Sequence, residues 1–337
     1  MKMEGRPVAV HAVCILLAVL SSGLTEMFVK AAAGHQGVFA GLFQTTTQNV
    51  LKTFPIEVSL DGWVGSTWII LNVWTAGWLV YAFSTVIRRN IFGPICCNPE
   101  IHPPSNYLIW ICINTLRICW LFLWDRQYIS VAIGVKMLVP ICSYYMLFVS
   151  YHNLHRHNTW LTINCPNERW YIRFMTQNGL ALFASWTFIE ALINVGVALK
   201  YRVGLPDPLV SAIVLTVLLL GILLWFVFES FIFSQYILYT FTVFPVAVLC
   251  LGAMFTNSYR FDDLAPITIY CGFLMIVATV LNSIRLVAVC FYKQTKPAIL
   301  SLPSFLPAYN GEPVYKVKVH ENMSGKSGVV NNQFSEN

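Results

Sequence analysis

Apolar residues in this chain run in long stretches separated by short polar segments, without the polar face that a soluble helix or strand shows at its own period. A helix that crosses a bilayer needs about 20 mostly apolar residues. Eight stretches qualify: Val8 to Phe28, Gly62 to Ile87, Tyr107 to Trp124, Tyr128 to Tyr151, Trp170 to Leu199, Leu209 to Phe228, Tyr236 to Phe255 and Ile267 to Phe291. The sixth is the clearest, since Ile213 to Phe228 carries no charge and one threonine. The fifth is long enough to tilt or to open with an interfacial turn. The pattern predicts an all-α polytopic membrane helix bundle of about eight transmembrane helices over residues 8–291. Residues 1–7 form a short N-terminal segment. Residues 292–337, with Pro303, Pro307 and Pro313 among repeated Ser, Asn and Gly, read as a disordered tail.

Composition agrees. Hydrophobic residues make up 57% and charged residues 11%, against roughly 25% charge in soluble domains, so a soluble surface cannot be built. The net charge of +6 contains no basic run, which argues against nucleic acid as a partner. Lys and Arg asymmetry sets orientation. With the N-terminus in the cytoplasm, inner segments hold 12 of the 21 Lys and Arg and outer segments hold 6, with Arg117, Lys136 and Arg285 inside spans. Both termini are therefore expected in the cytoplasm, of either the plasma membrane or an internal membrane. The first span also fits a signal peptide, with basic residues before Val8 to Leu20 and small Ser21, Ser22 and Gly23 after it. Cleavage would leave seven spans.

Ten cysteines suggest a disulfide framework, but none falls in an outer loop under this orientation. Cys96 and Cys97, beyond Arg88 and Arg89, are candidate palmitate acceptors or two idle thiols. The sequon Asn322-Met-Ser324 should stay unmodified on an inner tail. There is no G-x-S-x-G, no H-E-x-x-H and no paired C-x-x-C, and Gly325-Lys326-Ser327 has His320 where a P-loop has glycine. Asp262 and Asp263 read as an ordinary outer-loop pair. His152, His155 and His157 lie in a headgroup-level turn without a second ligand pair at zinc spacing. The reading is a non-enzyme without cofactor or metal.

Ionisable groups inside a membrane are costly and mark function by default. Arg117, Lys136 and Glu190 fall near mid-span, whereas Arg285 lies near an inner end where its side chain can snorkel. By helical arithmetic Arg117 shares a face with Trp110, Asn114, Leu121 and Trp124, while Gly179, Phe183, Trp186, Glu190 and Asn194 form one stripe. Glu190 can pair with Arg117 or with Lys136, but with one of them only. The unpaired cation would then favour an anionic guest. In span two, Trp63, Trp74, Trp78 and Tyr81 fall in one sector, and Trp74 lies too deep for an interface anchor.

Gly62-Trp63-Val64-Gly65-Ser66-Thr67-Trp68, continuing to Trp74, Trp78 and Tyr81, resembles a tryptophan-rich span in a family of uncharacterised animal multi-pass membrane proteins. That span is in turn similar to the P-x-W-x-F-x-x-W signature of the translocator (TspO-like) proteins. Gln177-Asn178-Gly179-Leu180 with Trp186 and Asn194, Trp225 to Glu229, Tyr239 to Val246, and Trp120 to Arg126 look like the same animal family. The resemblance covers roughly residues 50 to 290. The chain departs from the pattern at Leu60 for a proline, Asn72 for an aromatic, Glu190 for a small apolar residue and Leu238 for a basic one. Translocator proteins bind porphyrins and sterols in a helix bundle, but with five spans and about half this length.

Three functions fit these residues. The first is binding or transport of a small anionic or amphipathic ligand in a pocket between spans two to five, lined by Trp74, Asn114, Arg117, Lys136, Trp186, Glu190 and Asn194. The second is a structural or partner-binding membrane protein whose buried charges only fix helix packing. The third is a seven-span receptor-like protein, which lacks an outer cysteine and the D-R-Y and N-P-x-x-Y motifs.

Overall fold

The computed structural model describes residues 5–35, 37–39, 41–90, 93–237, 239–259 and 265–295. The tail beyond 295 with its sequon, the Asp262–Asp263 pair and Leu238 lie outside the described residues. The chain is all-α. Among the described residues, seven helical segments are long and apolar enough to cross a membrane: Pro7–Ala32, Gly62–Ile87, Pro104–Asp125, Ile129–Arg156, Pro166–Tyr201, Asp207–Ile232 and Pro266–Cys290. The protein is thus a multi-pass membrane protein.

In chain order, α1 spans Gly5–Ala32 and α2 is a short loop helix, Thr47–Thr53. A 3-10 turn, Gly62–Ser66, leads into α3, Thr67–Ile87. A two-residue hairpin, β1 Arg89–Asn90 against β2 Gly93–Pro94, follows. Then come α4 Pro104–Asp125, α5 Ile129–Arg156, α6 Asn158–Asn164 and α7 Pro166–Tyr171. A π-helical turn, Ile172–Gln177, joins α7 to α8, Asn178–Tyr201. Next is α9, Asp207–Val227, which ends in a second π-helical turn, Phe228–Ile232. After α10, Ser234–Ile237, and α11, Val243–Ser258, the last helix α12 covers Pro266–Thr295, past the expected end of span eight.

The helix through α7 and α8 is the axis of the bundle. Of its most apolar window 83% is buried, against 17–39% for the other long helices. Small Ala181, Ala184 and Ala191 at full burial let neighbouring helices approach closely. The outer helices each bury one face and turn Ile69, Ile70, Val73 and Val80 of α3, or Ile269, Phe273 and Ile276 of α12, outward. Outward apolar faces of this kind are stable only against lipid.

The seventh expected span is not continuous. Its first part is α10 and a turn, and only Val243–Ser258 is a 16-residue apolar helix. Asn178 explains the break: its Nδ2 donates to the Tyr239 carbonyl (3.0 Å) and its Oδ1 accepts from the Phe241 N–H (2.9 Å). The Thr242 hydroxyl donates to the Asn178 carbonyl (3.0 Å). Tertiary bonds replace helical ones, which is how irregular backbone survives at membrane depth. At about 1.5 Å per residue, α11 is about 24 Å long. It runs from Asn178, inside the bundle, to the far end, where Thr256 and Asn257 bond Asp61 and Ser59.

At the Asp125 end, the segment after α1 is tied down as a cover. The Asp125 carboxylate accepts from the backbone N–H groups of Gln44 (3.1 Å) and Thr45 (2.9 Å). Lys200 Nζ bridges the Pro55 carbonyl and Asp207, 2.6 Å each. Val50, Ile56 and Val58 are buried beneath. At the Arg88 end, the Arg88 guanidinium pairs with Glu168, which also accepts from Tyr81 Oη (3.0 Å).

Candidate functional site

Helix α8 brings Glu190 against α5 and α3. Lys136 Nζ lies 2.7 Å from Glu190 Oε2, while Oε1 accepts from Trp186 Nε1 (2.8 Å) and Trp68 Nε1 (3.2 Å). Of the two pairings open to Glu190, the partner is Lys136, whose ammonium also rests 4.0 Å from the Trp120 ring centre. Asn194 stays on its own helix, donating to the Glu190 carbonyl (2.7 Å).

Arg117 is not left over. It pairs with Glu26 of α1 at 3.4 Å, and Asn72 Nδ2 donates to the other Glu26 oxygen at 2.7 Å. The guanidinium lies over Trp68 (4.9 Å) and Phe183 (5.6 Å) and donates to Asn114 Oδ1 (3.4 Å). Asn114 Nδ2 donates to the Trp110 carbonyl (3.0 Å) and reaches Ser21 and Ser22 of α1, and Trp110 Nε1 donates to Ser22 (2.8 Å). Trp68 therefore links two ion pairs, presenting its face to one and its N–H to the other.

Two cations and two carboxylates cancel, so the expectation of an uncompensated charge at Arg117 is corrected. None of the three principal cavities among the described residues is lined by Arg117, Lys136 or Glu190. The polar cluster between spans two to five is filled by its own side chains. Trp74 stands apart: its Nε1 donates to the Phe174 carbonyl (3.1 Å) and its ring packs on Gly179, where a Cβ would sit 2.7 Å from Cδ1. Asn72 and Glu190 both belong to the paired network.

Arg285 is a second correction. It does not snorkel. It is 8% exposed, with Nε 2.6 Å from Oε1 of fully buried Glu229, whose other oxygen accepts from Trp225 Nε1 (3.0 Å). The π-helical turn Phe228–Ile232 carries Glu229 inward. Sequence reasoning missed Glu26 and Glu229 because each lies within a turn or so of a span end, where an acid ordinarily faces headgroups.

The histidines of the H-x-x-H-x-H run diverge. His152 stacks with Phe148 and His155 with Tyr236, while His157 Nδ1 bonds the Asn153 carbonyl. Cys96 is buried and only Cys97 keeps part of its surface. Burial pushes the Cys96 thiol up to about 12, aided by its neighbour Cys97. All described cysteines are free.

The larger cavities among the described residues are elsewhere. About 380 Å³ lies between α5, α8, α9 and α11, bounded by Tyr144, Phe148, Tyr151, Phe188, Leu218, Trp225, Phe233 and Phe244 among others. On the other side of Phe244 is a second cavity of about 190 Å³, lined by Trp170, Arg173, Asn178, Tyr239, Asn282 and Arg285. The Arg285 Nη2 is buried without a hydrogen-bond partner among the described residues. Arg173 lies over the Tyr239 ring at 4.1 Å and has no carboxylate partner among the described residues. One positive charge is thus uncompensated beside this cavity. No family model, curated protein or solved structure matches the chain.

Proposed function

We propose that this protein binds an amphipathic, lipid-like molecule with an anionic group. The observation that carries the reading is the pair of adjoining cavities that share Phe244. The larger is apolar and aromatic, and the smaller carries Arg173 and Arg285. A site of a few hundred Å³ with mostly apolar walls and a few convergent polar groups is the usual form of a small-molecule site. The apolar part of the ligand occupies the larger cavity. Its anionic group meets the Arg173 guanidinium and the open Nη2 of Arg285, in a region where such charge-assisted bonds are strong.

In this reading the Arg88 end faces the cytoplasm, which agrees with the 12-to-6 distribution of Lys and Arg. The smaller cavity then opens toward the inner leaflet. The chain binds rather than transforms its ligand, and α1 is retained. The paired network around Trp68 favours a packing role for the mid-membrane charges beside this binding role.

The test is photolabelling in nanodiscs with a bifunctional anionic phospholipid bearing a diazirine on one acyl chain, followed by peptide mapping. Labels should concentrate on α5, α9 and α11. They should fall several-fold in Ala247→Trp, which fills the apolar cavity, and in Arg173→Gln. Labels spread over the outward faces of α3 and α12 and indifferent to both substitutions would refute the proposal.

A further inference from the structure

His11, on the second turn of α1, meets the adjacent thiols of Cys96 and Cys97 from the segment between β2 and α4, with one donor atom from each within 4.8 Å of the others. His11 is 2% exposed. Its Nδ1 donates to the Pro7 carbonyl at 2.9 Å and has Cys97 Sγ 3.9 Å away. Nε2 is the ring nitrogen open to a metal when the imidazole is neutral. It is buried, has no hydrogen-bond partner among the described residues, and faces Glu100 Oε1 at 3.3 Å. A proton can fill that contact as an imidazolium–carboxylate pair, and so can a metal ion held by the neutral ring.

Two of the spacings suit a metal. With Zn–N and Zn–O of about 2.0–2.1 Å and Zn–S of about 2.3 Å, a tetrahedral zinc site has N···O edges of about 3.3 Å and S···S edges of about 3.8 Å. The corresponding distances are 3.3 Å for His11 Nε2 to Glu100 Oε1 and 3.6 Å between the two sulfurs. The Pro7 carbonyl supplies the outer bond that orients a ligating histidine. Glu100 is half exposed and Cys97 partly so, which leaves an entry route.

We propose that His11, Cys96 and Cys97 form a site for a thiophilic closed-shell cation of the Zn²⁺ type, with one position open to solvent beside Glu100, that clasps the start of α1 to the α3–α4 connection. Two thiols and an imidazole select such an ion over Mg²⁺ or Ca²⁺. The site is independent of the ligand cavities and stands or falls apart from them.

The probe is Zn²⁺ alone, added to the full-length protein in nanodiscs after chelation, with bound metal counted by elemental mass spectrometry and affinity read by competition with a chromophoric chelator. Wild type should hold one equivalent. Cys97→Ser and His11→Gln should each weaken binding at least tenfold, Glu100→Gln less, and the membrane-facing control Cys119→Ser not at all. Co²⁺ in place of Zn²⁺ should give a thiolate charge-transfer band that Cys96→Ser abolishes, a readout for any variant that folds when another does not. Three results would each overturn the site: no bound equivalent in wild type, full binding in both cysteine variants, or acyl groups on Cys96 and Cys97 in the isolated protein.

Discussion

Glu190 offers the sharpest test of the packing argument, because two cations competed for it and the structure chooses one. Glu190→Ala removes a carboxylate that takes Lys136 at 2.7 Å and two indole N–H groups at 2.8 and 3.2 Å. Its loss strands an ammonium whose side chain is 9% exposed. Breaking a buried pair in this way costs about 3–5 kcal/mol, and hydrogen bonds between membrane helices average only about 0.6 kcal/mol each. The stranded charge, rather than the lost indole bonds, should dominate. The double variant Glu190→Ala with Lys136→Leu should therefore recover about 2 kcal/mol or more of the summed single losses, the scale of coupling between residues in direct contact. Arg117 makes its ion pair with Glu26 and feels Glu190 only as a nearby charge beyond Trp68, so the double of Arg117→Leu with Glu190→Ala should couple clearly less than the Lys136 double. Arg117→Leu should couple instead to Glu26→Ala. Reversible unfolding in mixed micelles or steric trapping in bicelles gives the free energies of wild type, the four single variants and the three doubles. Larger coupling of Glu190 to Arg117 than to Lys136 would refute the assignment of pairs.

Three further outcomes follow from single sites. Burial lowers His102, held at 3.0 Å by Ser150 Oγ, from 6.5 to about 4, so between those values the unfolded chain takes up a proton that the fold refuses. Stability should fall by about 3 kcal/mol as pH drops through that window, and His102→Gln should flatten that part of an unfolding-versus-pH curve; an unchanged slope would show that His102 is not the group responsible. Gly179→Val should cost about 1–3 kcal/mol by pressing on the Trp74 ring, with partial recovery in the double with Trp74→Leu; equal melting of Gly179→Val and wild type would contradict the close packing there. Intact mass should retain residues 1–30, since Glu26 and Ser22 of α1 satisfy Arg117 and Trp110, and a glycosylation reporter should be modified near Gln44 but not near Asn322, the reverse pattern inverting the proposed orientation.

The chain's own order determined its class. Eight apolar stretches and 11% charge admit only a helical membrane bundle, because the backbone in lipid must bond within each segment. Helical periodicity also identified the inward face of α4, where Trp110, Asn114, Leu121 and Trp124 are all buried. Periodicity says which side chains turn inward but not which helix they meet. Glu26 reaches Arg117 across 91 residues and Glu229 reaches Arg285 across 56, and both acids sit where a span end would ordinarily place them in headgroups. The break before α11 was equally hidden, since its cause is the side chain of Asn178, some 60 residues away. His11 lies 86 residues from Cys97, a separation at which spacing carries no signal of shared ligation. The cavities around Phe244 have no sequence signature at all. The larger is the space left where α5, α8, α9 and α11 diverge, the smaller lies between the α7–α8 turn, the start of α11 and α12, and only the packed helices decide where each lies and which guanidinium stands beside it.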